Sequence, residues 1–251
     1  MKCFGFCFLS TAPMRREASH SSEMVTQMIF GDSMEVDKVT LEWVHGRMLY
    51  DGYEGWVSIK QVALLNKVPE TDYVAERETR CIVPAELWEK RKTKSGKRGM
   101  MEVTIPAGAS CRLSWLKEPV AEIRKTKDTV ELAKHYLGAP YLWGGRTVWG
   151  VDCSGLVQIV HKVFGIALPR DVSQQVECGR EVAFKEARRG DLAFFNDARG
   201  KLTHVGLVAG YRKVIHSSGY VRIDELHKKG IFNSEAGVYT HHLHSIRRIE
   251  G

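Results

Sequence analysis

Along the first half of the chain, apolar and polar positions alternate in short runs broken by glycine. Residues 24–29 read as a strand with Phe30-Gly31-Asp32 as its turn. Residues 34–43 and 47–50 follow, separated by His45-Gly46, and Asp51-Gly52-Tyr53-Glu54-Gly55-Trp56-Val57-Ser58 reads as a turn feeding a strand. Short strands at such close spacing predict a small all-β barrel. Residues 79–84, 100–105 and 110–116 repeat the style more loosely, with a short helix expected over 85–92. Glu118-Pro119 then breaks the chain.

The second half changes period. Residues 129–137 place Val130, Leu132, Ala133, Tyr136 and Leu137 at helical spacing, ended by Gly138-Ala139-Pro140. Leu156, Val157, Val160, Val163 and Phe164 mark one face of a second helix, stopped at Gly165, and a short helix is expected over 171–178. Strands are expected at 190–195, 202–209, 213–216, 221–223 and 238–249. A helix followed by an antiparallel sheet predicts an α+β domain behind the β-rich front half. Residues 1–14 could be a minimal signal peptide, with one lysine and seven mostly apolar residues, or a first strand. The strand is preferred, because the chain runs on without a linker.

Composition adds bounds. The 251 residues suit one or two domains, and no apolar run nears the roughly 18 residues of a membrane span. A net formal charge of +7 favours acidic partners without choosing among nucleic acid, an anionic surface and a carboxylate-rich substrate. The basic run Lys90–Arg98 (90–98) lacks interleaved aromatics and reads as a solvated hairpin tip rather than a nucleic-acid surface. Six scattered cysteines, none in a Cys-x-x-Cys pair, favour reduced thiols and a reducing compartment.

Cys153 carries the candidate chemistry. It opens the second helix behind Asp152, the N-cap by residue type. Unpaired N–H groups and the positive dipole end there would lower a thiol pKa and make a nucleophile. The same pattern also suits a small apolar residue opening a core helix. With a hairpin turn centred on Gly210, His204 and His216 lie six residues to either side and face each other on one sheet surface. Beside a thiolate they form a base and its orienting partner. They could equally be polar members of a half-exposed sheet, or join Cys153 around a metal. His241, His242 and His244 read as surface, with His241 on the opposite face from the other two.

These residues fall into six ordered motifs: Gly138-x-Pro140-Tyr141-x-Trp143-Gly144-Gly145, Asp152-Cys153-Ser154-Gly155, Leu168-Pro169-Arg170, Gly190-Asp191-Leu192-x-Phe194-Phe195, Thr203-His204-Val205-Gly206 and Ile215-His216. Together they resemble the NlpC family of papain-like cysteine peptidases over residues 121–251. Residues 1–66 resemble a bacterial SH3-like domain, best at 51–57, and residues 67–120 a degenerate second copy. The resemblance implies a papain-like domain, a helical part plus antiparallel sheet, behind small SH3-like barrels. It is nearest to γ-D-glutamyl-L-diamino acid endopeptidases of peptide recycling, which act on stem peptides with a free N-terminal L-Ala. It implies Cys153 as nucleophile, His204 as base, His216 as orienting residue and Tyr141 beside the oxyanion with the Cys153 N–H. Asp152, Ser154, Arg170 and Asp171 would line the groove for γ-D-Glu and the L-Ala amine, and Tyr53 would close its far end. Val172 departs from the family's usual small or acidic context there. The implied partner is a muropeptide, L-Ala-γ-D-Glu-diamino acid, handled by a cytoplasmic monomer without cofactor, metal, nucleic acid or membrane span. The alternatives are a secreted enzyme acting on intact wall, reached through a cleaved N-terminus, and a thiol amidase or acyltransferase on the same fold.

Overall fold

The structure is a computed structural model that describes residues 2–84, 87, 101–117, 126 and 128–250. Apart from Leu87, the helix expected over 85–92 and the basic run 90–98 lie outside the described residues, as does the break at Glu118-Pro119. The chain divides into two compact units, Met1–Lys125 and Thr126–Gly251. Among the described residues no helix is long and apolar enough to cross a membrane, and all six cysteines are unbridged.

In the first unit, seven strands form one antiparallel sheet: β1 (Phe4–Cys7), β2 (Thr11–Arg15), β3 (Met24–Ile29), β4 (Ser33–Val39), β5 (Trp43–Met48), β6 (Glu54–Ser58) and β7 (Val62–Leu65), in the order β3-β2-β6-β5-β4-β1-β7. The N-terminal residues are thus a strand, paired on both sides by β4 and β7. Period-2 alternation sends successive side chains of β1 to different cores. Cys7 joins Met14, Met28, Met34, Val44 and Val57. Phe6 joins Phe8, Phe30, Cys81, Ile105 and Cys111. The second core is completed by two short ladders, β8 (Tyr73–Val74) with β11 (Ser110–Cys111) and β9 (Thr79–Val83) with β10 (Met101–Ile105). Phe30 meets Phe6 and Trp115 edge-on, at 6.0 and 6.2 Å between centroids; such pairs add about 0.5–1.5 kcal/mol each.

His45-Gly46 does not separate two strands, as the sequence suggested; both lie inside β5. The turn falls earlier, where Thr40 accepts from the Trp43 N–H through Oγ1 (3.0 Å). Gly46 is there for close approach: a Cβ would sit 2.2 Å from Glu35 O.

The second unit contains α1 (Thr129–Lys134), β12 (Arg146–Thr147), β13 (Gly150–Val151), α2 (Cys153–Val163) and α3 (Val172–Gln175). Seven further strands follow: β14 (Arg180–Glu181), β15 (Leu192–Asn196), β16 (Leu202–Gly210), β17 (Lys213–Ser218), β18 (Tyr220–His227), β19 (Gly230–Asn233) and β20 (Val238–Arg248). The sheet order is β14-β20-β15-β16-β17-β18-β19, and pairing of β19 with β20 closes the ladder on itself. Ala193, Phe195, Val208, Val214, Leu226, Ile231 and Ile246 share one core of this closed sheet. The helical part expected from the sequence is small: among the described residues only α2 exceeds two turns. α2 packs on β16, β17 and α1. It is buried from Cys153 to Lys162, so its burial is wider than the single apolar face predicted, while Phe164 is exposed.

The first unit offers a paired test of backbone strain. Gly31 has φ +85° and a Cβ there would lie 1.8 Å from Ser110 O; Gly52 has φ +72° with open space. Gly52→Ala is expected to cost about 1 kcal/mol, and Gly31→Ala at least about 3 kcal/mol, since the ladder must also shift. Urea unfolding midpoints measure both.

Candidate active site

The first turn of α2 is fixed by one carboxylate. Asp152 is the N-cap and accepts from the Gly155 N–H through Oδ1 (2.7 Å) and from the Gly144 N–H through Oδ2 (2.8 Å). The Arg170 guanidinium grips both oxygens and also donates to Ser154 Oγ (2.8 Å). Asp152, Ser154 and Arg170 are all buried, so the expected groove residues form an internal network that holds the helix start. Gln175 of α3 adds a brace by donating to the Ser154 carbonyl (3.1 Å). Asp171, partly buried, opens α3 without capping it through its side chain. Tyr53 belongs to the first unit, where it packs on the core of Cys7 and Met14 and lines a concavity with Arg16, His45 and Glu54.

Cys153 is 6% exposed, and its sulfur meets β16 on either side of His204. The thiol donates to the Thr203 carbonyl (4.0 Å), and the N–H groups of Val205 and Ser154 point at the sulfur. The structure forms no hydrogen bond between this sulfur and the His204 ring among the described residues. The ring instead meets the second histidine: His204 Nε2 lies 2.8 Å from His216 Nδ1.

The two histidines share a face, as the sequence predicted, but they are not directly opposite. Leu207 pairs with Ile215 and Val208 with Val214, and a bulge precedes Gly210. This register sets His216 across from Gly206, two residues from His204. The turn is Tyr211-Arg212, with Arg212 in the left-handed region (φ 52°), rather than a loop centred on Gly210. A displacement of two preserves the face where a displacement of one would not. Gly206 makes the diagonal reach possible: a Cβ there would lie 2.9 Å from His216 Cβ and 2.8 Å from Ile215 O.

Two further groups meet these rings. His216 Nε2 lies 3.1 Å from Asp224 Oδ2 on β18. His241 was expected at the surface; it stacks on His204 at 4.3 Å between centroids, while its neighbours His242 and His244 are exposed. Neither was found by sequence reasoning. His241 had its signal, since alternation turns it away from His242 and His244. Asp224 lies eight residues beyond His216, a separation that becomes contact only through the β17–β18 hairpin. Among the described residues no group of three or more His, Cys, Asp or Glu side chains is arranged to hold a metal.

Residues 138–240 match the NlpC/P60 family, and residues 14–62 match the bacterial dipeptidyl-peptidase Sh3 domain. The chain joins an NlpC/P60 domain to a bacterial SH3 domain. It is similar to the gamma-D-glutamyl-L-lysine dipeptidyl-peptidase of Bacillus subtilis, 28% identical over 211 residues covering 76% of this chain and 71% of that one. A protein of the same name from Bacillus cereus is 26% identical over 254 residues, covering 87% and 75%. In fold, the chain resembles the crystal structure of an NlpC/P60 family protein from Bacillus cereus, with a TM-score of 0.69, 20% identity and coverage of 98% and 99%. The chain is a cysteine peptidase.

The resting Cys153–His204 pair is uncharged. Burial, then the Asp152 carboxylate, push the Cys153 thiol up to about 12, against the pull of the Val205 and Ser154 N–H groups and Arg170. The helix start does favour the thiolate, as the sequence suggested, but dehydration of a buried sulfur is the larger effect. Burial, followed by the His216 and His241 rings, holds His204 well below the ordinary imidazole range. Burial also brings His241 down to about 4. Tyr141, half-exposed, is pushed up to about 12 by burial and by the charges of Cys153 and Asp152, so its phenol remains a donor. A neutral thiol beside a neutral imidazole requires proton transfer as the sulfur attacks.

Buried neutral histidines make stability fall in acid. The unfolded chain takes up protons near pH 6.5, while the folded His241 resists until about 4, so stability is lost as pH drops through that window. The loss from His241 alone is on the order of 3 kcal/mol. His241→Phe keeps a stacked ring without a titrating nitrogen and should flatten part of the fall in melting temperature between neutral pH and about pH 4.5.

Proposed function

We propose that the protein hydrolyses the γ-D-glutamyl–diamino acid bond of peptidoglycan stem peptides that carry a free N-terminal L-Ala, in recycling of cell-wall peptides in the cytoplasm. The observation that carries this reading is the joining of a Cys153–His204–His216 site to an SH3 unit. Two relatives named gamma-D-glutamyl-L-lysine dipeptidyl-peptidase are 28% and 26% identical to this chain over 76% and 87% of its length.

In the proposed reaction His204 Nδ1 takes the Cys153 proton as the sulfur attacks the γ-glutamyl carbonyl. The new oxyanion is held by the Tyr141 hydroxyl and the Cys153 N–H, the latter at a helix position without an intrahelical partner. His204 returns the proton to the departing amine of the diamino acid. A water, deprotonated by the same imidazole, then cleaves the thioester. His216 steadies the His204 ring throughout, the role played by a carboxylate or amide in other triads. Asp152, Ser154, Arg170 and Asp171 shape the γ-D-Glu and L-Ala end, the first three by fixing the backbone around the nucleophile.

A direct assay offers L-Ala-γ-D-Glu-L-Lys, L-Ala-γ-D-Glu-diaminopimelate, their N-acetylated forms and intact peptidoglycan to the purified chain. The free-amine peptides should be cleaved and the acetylated ones spared, with Cys153→Ala reducing turnover by at least about 10³-fold. Equal cleavage of acetylated peptides would refute the free-amine requirement. Faster release from intact wall would favour a lytic enzyme.

A further inference from the structure

Beyond the Cys153–His204–His216 set, a buried carboxylate stands behind the second histidine. Asp224 is 9% exposed. Its Oδ2 faces His216 Nε2 at 3.1 Å, while its Oδ1 accepts from Arg222 Nε (3.1 Å) and Nη2 (2.9 Å). Burial alone would raise this carboxyl, but the hydrogen bonds from His216 and Arg222 hold it below the usual carboxylate range. Also facing this cluster are the His241 ring, 6.1 Å from that of His216, Glu235, 3.7 Å from Arg222, and the Tyr220 ring, 5.3 Å from the Arg222 guanidinium.

With His216 neutral, hydrogen-bond polarity dictates every proton in the row. An ionised carboxylate can only accept, so His216 carries its proton on Nε2. A neutral imidazole with that proton has its lone pair on Nδ1. The contact at 2.8 Å must then run from the His204 Nε2–H into His216 Nδ1. His204 is left with its lone pair on Nδ1, the nitrogen a thiol proton needs. A donor in place of the Asp224 oxygen would reverse both bonds and leave Nδ1–H on His204, which cannot act as a base.

We propose that Asp224, locked in orientation by Arg222, is a positioning residue that sets the tautomers of His216 and, through it, of His204. The catalytic consequence rests on the peptidase reading; the tautomers do not.

Asp224→Asn tests this, because Arg222 decides which way the amide faces. The two guanidinium donors claim the amide oxygen, so the NH₂ group points at His216 Nε2 and forces the reversed row. The expected result is a fall in kcat of about 10²–10⁴-fold, with KM changed by less than about threefold, as for loss of the correct tautomer in other triads. Arg222→Ala added to Asp224→Asn frees the amide to turn its oxygen to His216 and should recover kcat at least about tenfold over the single variant, an outcome that a merely structural role would not give. Long-range ¹H–¹⁵N correlation of the imidazoles at neutral pH reads the tautomers without substrate. The unaltered protein should show Nε2–H on both His204 and His216, and Asp224→Asn should show Nδ1–H on His216. Wild-type kcat in Asp224→Asn, a double variant no better than the single, or Nδ1–H on His216 in the unaltered protein would each overturn the proposal. If the unaltered protein cleaves none of the peptides, the peptidase substrate reading fails while the nitrogen spectra still decide this one.

Discussion

Dehydration of the sulfur and of the rings beside it is the constraint on which the site depends. Cys153 lies under β16, and His204 lies between His216 and His241 with little access to water. In such surroundings a separated thiolate and imidazolium lose their hydration, and the neutral pair is the resting form. The helix start, the Tyr141 phenol and the Val205 and Ser154 N–H groups are the dipoles that surround the sulfur.

Holding such a site needs rigid framing from both sides. On the helix side the Asp152 carboxylate takes donors from Gly144, Gly155, Ser154 and Arg170, so the turn carrying Cys153 is tied to the preceding loop and to the segment after the helix. On the sheet side, β20 pairs with β15 on one flank and with β19 on the other, and His241, opposite Ile231, stacks on the His204 ring. Gly206 opens the space across which two rings two positions apart can touch. Each device trades local freedom for the alignment of one imidazole.

Much of this was legible in the chain. Cys153 at a helix start, the two histidines on one face and the β-rich front half follow from periodicity and turn residues. The register does not, because it depends on a bulge before Gly210 that no residue type announces. The two-residue shift kept the face, so the pairing of functions survived an error in geometry. His241 was misplaced because three nearby histidines look like a polar surface; only the closed sheet shows that one of them faces inward. Asp224 was invisible because its partner is reached across a hairpin. The expected fall in the thiol pKa failed for a related reason: the helix dipole can be read from local sequence, whereas burial is a property of the whole fold.

The most direct test of this picture is an ultraviolet titration of the thiolate, taken as the difference between the protein and its Cys153→Ala variant. The account predicts no Cys153 thiolate signal through neutral pH and its appearance only in strongly alkaline solution, toward about 12. A full thiolate signal at or below neutral pH would contradict it, because the sulfur would then rest as one half of an ion pair.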